Sequence, residues 1–304
     1  MDLADRISTA GLRALGAVTQ GLTPRGRSRM GAAIGRMMMR VSGSRRAITD
    51  ENIRRALVHL SADQQRAVCV GSYENLGIVL AELLATPALT PEDLTTLVRI
   101  PGFDAVVERK RAGAPTIFLS AHYGNWEYLA MTAGILLDAP VLIVAHPQSN
   151  VHADRLLNTY RTRFGNVIVP MGEAARPLVK TLSAGGTVAF LVDQFGQWEK
   201  DPWIEFFGRP TPTYEAPAAL ALKYGAPIYH AFAERQDDAT YMAPISPIPM
   251  DDLQNTREGI VELTRRHVNV LEDQIRKRPE LWSWQHRRWR DEYTPPANAE
   301  VIRS

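Results

Sequence analysis

The clearest candidate for chemistry is a histidine and a glutamate, five residues apart, after an apolar run. His122 and Glu127 follow residues 116–119, whose composition favours a strand. Gly124 permits a tight turn, which would bring His122 into a loop and Glu127 into the first turn of the next helix. Such a histidine can accept a proton from an alcohol while a carboxylate fixes its tautomer, and the N–H groups at a helix start can hold an oxyanion. The pattern indicates acyl transfer.

A second acid follows another apolar run. Asp193 ends residues 187–192, so in a parallel sheet it would lie at the same edge as His122 and could be the buried partner of the imidazole. An aspartate that only caps a loop fits the position equally well. Glu199 is a weaker candidate for the same role. The residues therefore leave open whether Glu127 or Asp193 orients His122.

Other residues are candidates for substrate binding. Arg161 and Arg163 lie late in a predicted helix, where guanidinium groups could bind phosphate, although the helix dipole alone also favours arginine there. Phe206 and Phe207 could line an acyl channel with Arg209 at its mouth. Two adjacent phenylalanines are also common in ordinary cores.

Strand-like and helix-like segments alternate from residue 115 onward. The predicted strands are 116–120, 141–145, 167–169, 187–192 and 227–232. The predicted helices between and after them are 127–137, 151–164, 174–183, 215–224 and about 256–277. This order predicts an α/β fold with a mostly parallel central sheet flanked by helices, and a site at the carboxyl ends of its strands.

Composition limits the alternatives. The 304 residues carry a net charge of +2 and one cysteine, Cys69, which excludes an intramolecular disulfide framework and a Cys-rich zinc site. The histidines His146, His152 and His230 lack metal-ligand spacing, so we expect no metal and no cofactor. Nucleotide-binding glycine loops and the Gly-x-Ser-x-Gly pattern are absent. The charge does not suggest a nucleic-acid partner.

The segment at residues 122–127, His-Tyr-Gly-Asn-Trp-Glu, resembles the His-x4-Glu/Asp motif of one enzyme family. That family comprises the late acyltransferases of lipid A biosynthesis (lauroyl and myristoyl acyltransferases) and the related phosphatidylinositol mannoside acyltransferases. Further blocks at 187–194, 206–211 and 279–289 resemble family segments in the same order, and together they cover roughly residues 50–290. Glycerolipid acyltransferases share the skeleton of the motif.

The resemblance implies a fold, a reaction and a place of action. It implies a glycerolipid-acyltransferase-like fold and transfer of an acyl chain from an acyl carrier protein or CoA thioester to a glycolipid hydroxyl. His122 would be the base, with no metal and no covalent acyl-enzyme, and Asn125 within the motif is assigned to substrate binding. The expected location is the cytoplasmic face of the inner membrane, with peripheral attachment. A glycerolipid acceptor and a non-enzymatic membrane adaptor are the alternatives.

The chain before the sheet reads as helices. Ser61 with Gln64 predicts a capping box, and Thr90 followed by Pro91 predicts another helix start. No run reaches the roughly 18 to 20 apolar residues that span a bilayer. Residues 1–48 instead hold nine arginines, so we expect a basic amphipathic segment that lies on a membrane. The predicted division is 1–95, helical and membrane-associating, and 96–304, the α/β acyltransferase domain with a C-terminal helix and a Trp/Arg-rich tail.

Overall fold

The computed structural model describes residues 3–296 and 301–303. The side chains of residues 3, 4 and 6–8 lie outside the described part, and with them Leu3, Arg6 and Ile7 of the predicted basic amphipathic segment. The helices are α1 Leu3–Gln20, α2 Pro24–Val41, α3 Gly43–Ala56, α4 Ala62–Ala85, α5 Pro91–Leu97, α6 Asp104–Arg111, α7 Trp126–Leu137, α8 Val151–Arg161, α9 Ala175–Ser183, α10 Ala216–Tyr224 and α11 Arg257–Lys277. The strands are β1 Val98–Arg99, β2 Thr116–Ser120, β3 Val141–Ala145, β4 Val167–Pro170, β5 Thr187–Leu191, β6 Trp203–Phe206, β7 Arg209–Pro212, β8 Ile228–His230, β9 Glu234–Arg235, β10 Tyr241–Met242, β11 Ser246–Pro247 and β12 Val301–Ile302.

The predicted mixed α/β class is confirmed. The largest sheet of the described residues has the order β11-β8-β2-β5-β3-β4, parallel throughout except for the antiparallel edge pair β11–β8. Two small sheets, β1-β10-β9 and β12-β6-β7, each contain an antiparallel pair and were not predicted. Helices cover the central sheet, and in β2 the side chains of Thr116, Ile117, Phe118 and Leu119 are all buried, as is typical of a parallel strand with both faces covered.

The sheet register brings two predicted site residues together. In the parallel pair β2–β5, Ser120 lies opposite Leu191. His122 and Asp193 each come two residues after this pair, at the carboxyl edge of the sheet. Two neighbouring strand ends therefore deliver an imidazole and a carboxylate to one place, as the sequence predicts.

The N-terminal helices pack on α4 through glycines. A Cβ added at Gly31 would lie 2.4 Å from Ile78 Cα, and one at Gly35 would lie 2.0 Å from Tyr73 O. A Cβ added at Gly77 of α4 would lie 2.2 Å from Gly31 O. Because no side chain fits at these points, the backbones of α2 and α4 approach to a distance that only glycine allows. The predicted capping box of Ser61 and Gln64 is present at the N-terminus of α4.

Helix α4 also supports the C-terminal part of the chain. Ser72 Oγ donates to Trp282 O at 2.6 Å, and Asn75 Nδ2 donates to Leu281 O at 3.0 Å. By length and composition the stretch Ala62–Ala88 could cross a membrane, but 67% of its apolar window is buried inside the protein. A core helix of a soluble protein meets the same criterion.

The tryptophans of the tail lie in the core. Trp282, Trp284 and Trp289 are buried against Phe206 and Phe207 in edge and stacked ring contacts. The tryptophans of the predicted Trp/Arg-rich tail are therefore core residues and do not form a membrane-facing surface. Cys69 is also buried, as expected of a small core residue.

Candidate active site

His122 and Asp193 form a buried hydrogen-bonded pair. His122 Nδ1 lies 2.9 Å from Asp193 Oδ1, and the backbone N–H of His122 donates to Asp193 Oδ2, also at 2.9 Å. The indole Nε1 of Trp282 donates to the same Oδ2 at 2.9 Å. Three contacts thus fix a carboxylate whose residue is fully buried, and the imidazole is fixed with it.

The charges of the pair stabilise each other. Burial alone would lower the pKa of His122, but the Asp193 charge and hydrogen bond outweigh it and raise that pKa above its ordinary value. Burial alone would raise the pKa of Asp193, but the charge and hydrogen bonds of His122 hold it well below the usual range. Asp193 therefore stays ionised and acts as a fixed acceptor for Nδ1–H, which leaves Nε2 of His122 as the proton acceptor.

Glu127 contacts an arginine instead of His122. Arg161 of α8 donates to Glu127 through Nε at 2.9 and 3.0 Å and through Nη2 at 2.6 Å. The indole of Trp126 adds a bond at 3.2 Å. Burial lowers the pKa of Arg161, but the Glu127 charge more than offsets this effect and raises it. Asp193 is thus the acid in contact with the imidazole, while Glu199 is exposed.

Buried contacts fix the turn between His122 and Glu127. Gly124 has φ +56°, and a Cβ there would lie 1.7 Å from Ala233 O. Asn125 is fully buried, caps α7 by accepting from Tyr128 N at 2.8 Å, and donates to Glu82 Oε2 at 2.6 Å. Asn125, predicted to bind substrate, therefore holds the turn and does not line the cavity described next. Burial raises the pKa of Glu82.

An apolar cavity of about 330 Å³ opens beside the pair. It runs between the central sheet and α7, and its wall is aliphatic and aromatic, with Phe103, Phe118, Leu129, Val141, Ile143 and Ile245 among the lining residues. The lining also includes polar side chains, those of His122, Glu127, His146, Gln148, Arg161, Gln194 and His286 among them. A cavity of this kind suits an alkyl chain whose reactive end lies against His122.

The remaining predicted binding residues lie elsewhere. Phe206 and Phe207 are in the aromatic core with the tail tryptophans, and Arg209 packs over Trp289 and pairs with Asp291. Arg163 lies over the Phe164 ring. None of these four predicted residues lines the apolar cavity, whose wall comes from other elements.

Two site residues were missed by sequence reasoning. Trp282 was not predicted as a site residue, yet its indole donates to Asp193 from 89 positions away. The ring centroid of His286 lies 4.8 Å from that of His122. Burial, followed by the charge of His122, lowers the pKa of His286 to about 4. The only sequence signal was that both residues fall in the block 279–289.

The described residues contain no cluster of three or more histidine, cysteine or acidic side chains that could hold a metal ion.

Comparisons with known proteins agree with this geometry. Residues 8–291 match the family described as bacterial lipid A biosynthesis acyltransferase. The chain is 25% identical over 279 residues to lipid A biosynthesis acyltransferase 1 of Shigella flexneri, covering 86% of this chain and 80% of that protein. It shows the same identity and coverage with the lipid A biosynthesis myristoyltransferase of Escherichia coli strain K12. The matched region includes the His122–Asp193 pair, the Glu127–Arg161 pair and the residues that line the apolar cavity. The chain therefore belongs to the bacterial lipid A biosynthesis acyltransferase family and is an acyltransferase.

Proposed function

We propose that this enzyme transfers a fatty acyl chain from an acyl carrier protein or CoA thioester to a hydroxyl of a membrane glycolipid, of the lipid A precursor or phosphatidylinositol mannoside type. The observation that carries the proposal is the His122–Asp193 pair, whose imidazole lines an apolar cavity of about 330 Å³. The cavity takes the acyl chain and leaves its thioester carbonyl beside the imidazole. No cofactor takes part in the reaction as proposed.

The proton follows a short path. Nε2 of His122 accepts the proton of the acceptor hydroxyl as its oxygen adds to the thioester carbonyl. Asp193 stabilises the imidazolium that forms, because it is already ionised and bonded to Nδ1. The tetrahedral intermediate collapses to the ester, and the imidazolium returns the proton to the departing thiolate. The acyl group never bonds to the protein.

The oxyanion of the tetrahedral intermediate needs hydrogen-bond donors. The amides of the first turn of α7 have no carbonyl partner within the helix, and the helix dipole favours an anion there. Trp126 and Glu127, which begin this turn, line the cavity. We assign the oxyanion to this helix start. The Glu127–Arg161 pair joins α7 to α8 and keeps the turn in place.

The enzyme acts at a membrane surface in this proposal, peripherally and on the cytoplasmic face of the inner membrane. The outward sides of α1 and α2 expose Arg13, Arg25, Arg29 and Arg40 together with Val18 and Met37. Basic and apolar side chains on one face suit an anionic bilayer. Other arginines of this segment are used in packing: Arg27 is buried, and Arg36 pairs with Glu74.

The test is turnover by the purified, full-length protein. Lauroyl and myristoyl thioesters of acyl carrier protein and of CoA are supplied with vesicles that contain a lipid A precursor, a phosphatidylinositol mannoside or a glycerolipid. We expect ester formation on a glycolipid, and His122→Ala should lower turnover roughly 100- to 10,000-fold, as is typical when a general base is lost.

A matched control is His59→Ala, since His59 is exposed and does not line the cavity. This variant should keep wild-type turnover. Acylation of the glycerolipid alone would contradict the proposed acceptor. A folded His122→Ala protein with near wild-type turnover would contradict the proposed base.

A further inference from the structure

A row of aromatic rings leads away from the active site. The Phe195 and Tyr293 ring centroids are 5.6 Å apart, and those of Tyr293 and Trp198 are 5.4 Å apart. The guanidinium of Arg290 lies 4.7 Å from the Phe195 ring centroid. Phe195 and Tyr293 are half-buried, whereas Trp198 is 36% exposed. We call Phe195, Tyr293 and Trp198 the aromatic row.

The loop that carries the row starts at the catalytic carboxylate. Asp193 holds His122, Gln194 lines the apolar cavity, and Phe195 begins the aromatic row. Trp198 is five positions after Asp193, so the chain between them spans at most about 18 Å. A molecule that presents its hydroxyl to His122 and extends out of the site along this loop therefore reaches Trp198.

The loop is fixed in the free protein. Gly196 N donates to Pro212 O at 2.9 Å, and Gln197 N donates to Asp201 Oδ2 at 2.6 Å. The Trp203 indole donates to the carbonyl of Trp198 at 3.0 Å. The backbone of Trp198 is thus fixed by the buried Trp203, while the Trp198 side chain is partly exposed. An exposed ring on a pinned backbone costs little entropy on binding, which favours a ligand-binding role.

The surroundings of Trp198 are concave and carry both charged and apolar groups. A second cavity, of about 510 Å³, is lined by Trp198 and by charged residues that include Glu199, Lys200, Arg257 and Glu258, with Trp203, Val261 and Ile302 among the apolar ones. Aromatic faces beside both carboxylates and cations fit a sugar ring, whose C–H face packs on an aromatic ring while its hydroxyls donate to carboxylates and accept from cations. An alkyl chain makes no favourable contact with these charged groups, and the apolar cavity beside His122 already offers it a binding site.

We propose that the aromatic row, ending at Trp198, is a binding site for the sugar of the acceptor glycolipid, extending from the hydroxyl that reacts at His122. This inference rests on the proposed function for the identity of the acceptor. It assigns separate surfaces to the two substrates: the apolar cavity to the acyl chain and the loop after Asp193 to the saccharide.

The first test measures sugar binding without catalysis. Saturation-transfer NMR is recorded on the full-length protein with a deacylated β-1,6-linked glucosamine disaccharide. Transfer to the C–H protons of the sugar is expected for the wild type, and Trp198→Ala should weaken it roughly 3- to 10-fold, the effect of losing one aromatic packing contact. Trp198→Phe, which retains a ring, should restore most of it. The carbonyl that anchors the loop is present in both variants, so folding is preserved.

Leu136→Ala is the matched control. Leu136 is 37% exposed, close to the value for Trp198, but it lies on α7 outside both cavities. It should bind the disaccharide as the wild type does. In acyl transfer, Trp198→Ala should raise the KM for the glycolipid roughly 3- to 10-fold and leave kcat within about twofold, because Trp198 does not touch the reacting atoms.

The outcomes separate the possibilities. Equal sugar binding by wild type and Trp198→Ala overturns the proposal. So does a Trp198→Ala protein that only loses vesicle binding, which would identify Trp198 as a bilayer contact. If the disaccharide binds through Trp198 but the wild type acylates no glycolipid, the sugar site stands and the proposed function fails.

Discussion

Asp193 and Glu127 are two buried carboxylates beside one cavity, and they have different partners. Asp193 holds the imidazole of His122 and takes a further bond from Trp282, whereas Glu127 holds the guanidinium of Arg161. Both acids follow strand ends in the sequence. In the proposed mechanism the first pair contains the group that exchanges protons, whereas the second pair joins α7 to α8. The comparison shows that the position of an acid after a strand does not determine its role. The role depends on which side chain a neighbouring element brings into contact with the acid, His122 for Asp193 and Arg161 for Glu127.

The largest effect should come from Asp193→Asn. The amide can no longer stabilise the imidazolium or fix Nδ1–H, so kcat should fall roughly 100- to 10,000-fold. The pH profile should also move. In the proposed mechanism the neutral imidazole is the base, and Asp193 raises the pKa of His122 against the lowering effect of burial. Without that charge, burial dominates and lowers the pKa, so the acidic limb of the rate profile should shift to lower pH.

A pH-rate series on wild type and Asp193→Asn measures this shift. Asp237→Asn is the control, because Asp237 is exposed and does not line the apolar cavity. An acidic limb that moves to higher pH in Asp193→Asn would contradict the oriented-imidazole scheme.

A smaller catalytic effect and a larger effect on stability are expected at the other pair. Glu127→Gln leaves the Arg161 guanidinium buried with no anion, and breaking such a pair costs roughly 3 to 5 kcal/mol of the free energy of unfolding. The acidic limb should move less than in Asp193→Asn, because Glu127 raises the pKa of His122 by charge alone. Turnover should fall through displacement of the turn.

A double-mutant cycle with Arg161→Gln sharpens the comparison. If Glu127 serves Arg161, the double variant should lose less stability than the two single variants combined, as measured by chemical unfolding. Additive losses would mean that the two residues act separately.

The smallest effect on chemistry is expected at the outward face of α1 and α2. Replacement of Arg13, Arg25, Arg29 and Arg40 by Gln should weaken binding to anionic vesicles at least about tenfold, since each basic residue contributes on the order of 1 kcal/mol. Salt should weaken the wild type similarly by screening. Turnover on a soluble short-chain acceptor should not change.

Vesicle flotation measures this binding. The control replaces four exposed basic residues of the α/β part, Arg111, Arg176, Lys180 and Lys223, by Gln. Equal loss in both variants would mean that net charge, and not this face, attracts the bilayer.

The elements that could be predicted are those whose signal is local. β2 and β3 begin and end where the apolar runs 116–120 and 141–145 do, and α11 has Thr256 as its N-cap. The meeting of His122 with Asp193 followed from parallel neighbouring strands. The partner of Glu127 did not follow, because Arg161 reaches it from another helix, 34 positions away. For Phe206 and Phe207 the sequence left both an acyl channel and an ordinary core open, since adjacent aromatics do not show which side of the sheet they face; both residues are buried in the aromatic core.

The bonds from α4 to the segment after α11 set the order in which the molecule becomes active. Ser72 and Trp282 are 210 positions apart, and Trp282 also binds Asp193. During synthesis His122 and Asp193 emerge long before Trp282, so the nascent chain carries both catalytic groups without the contact that secures them. Such long-range closure slows folding. A ribosome-bound chain that stops before residue 282 lacks this contact and should therefore be inactive.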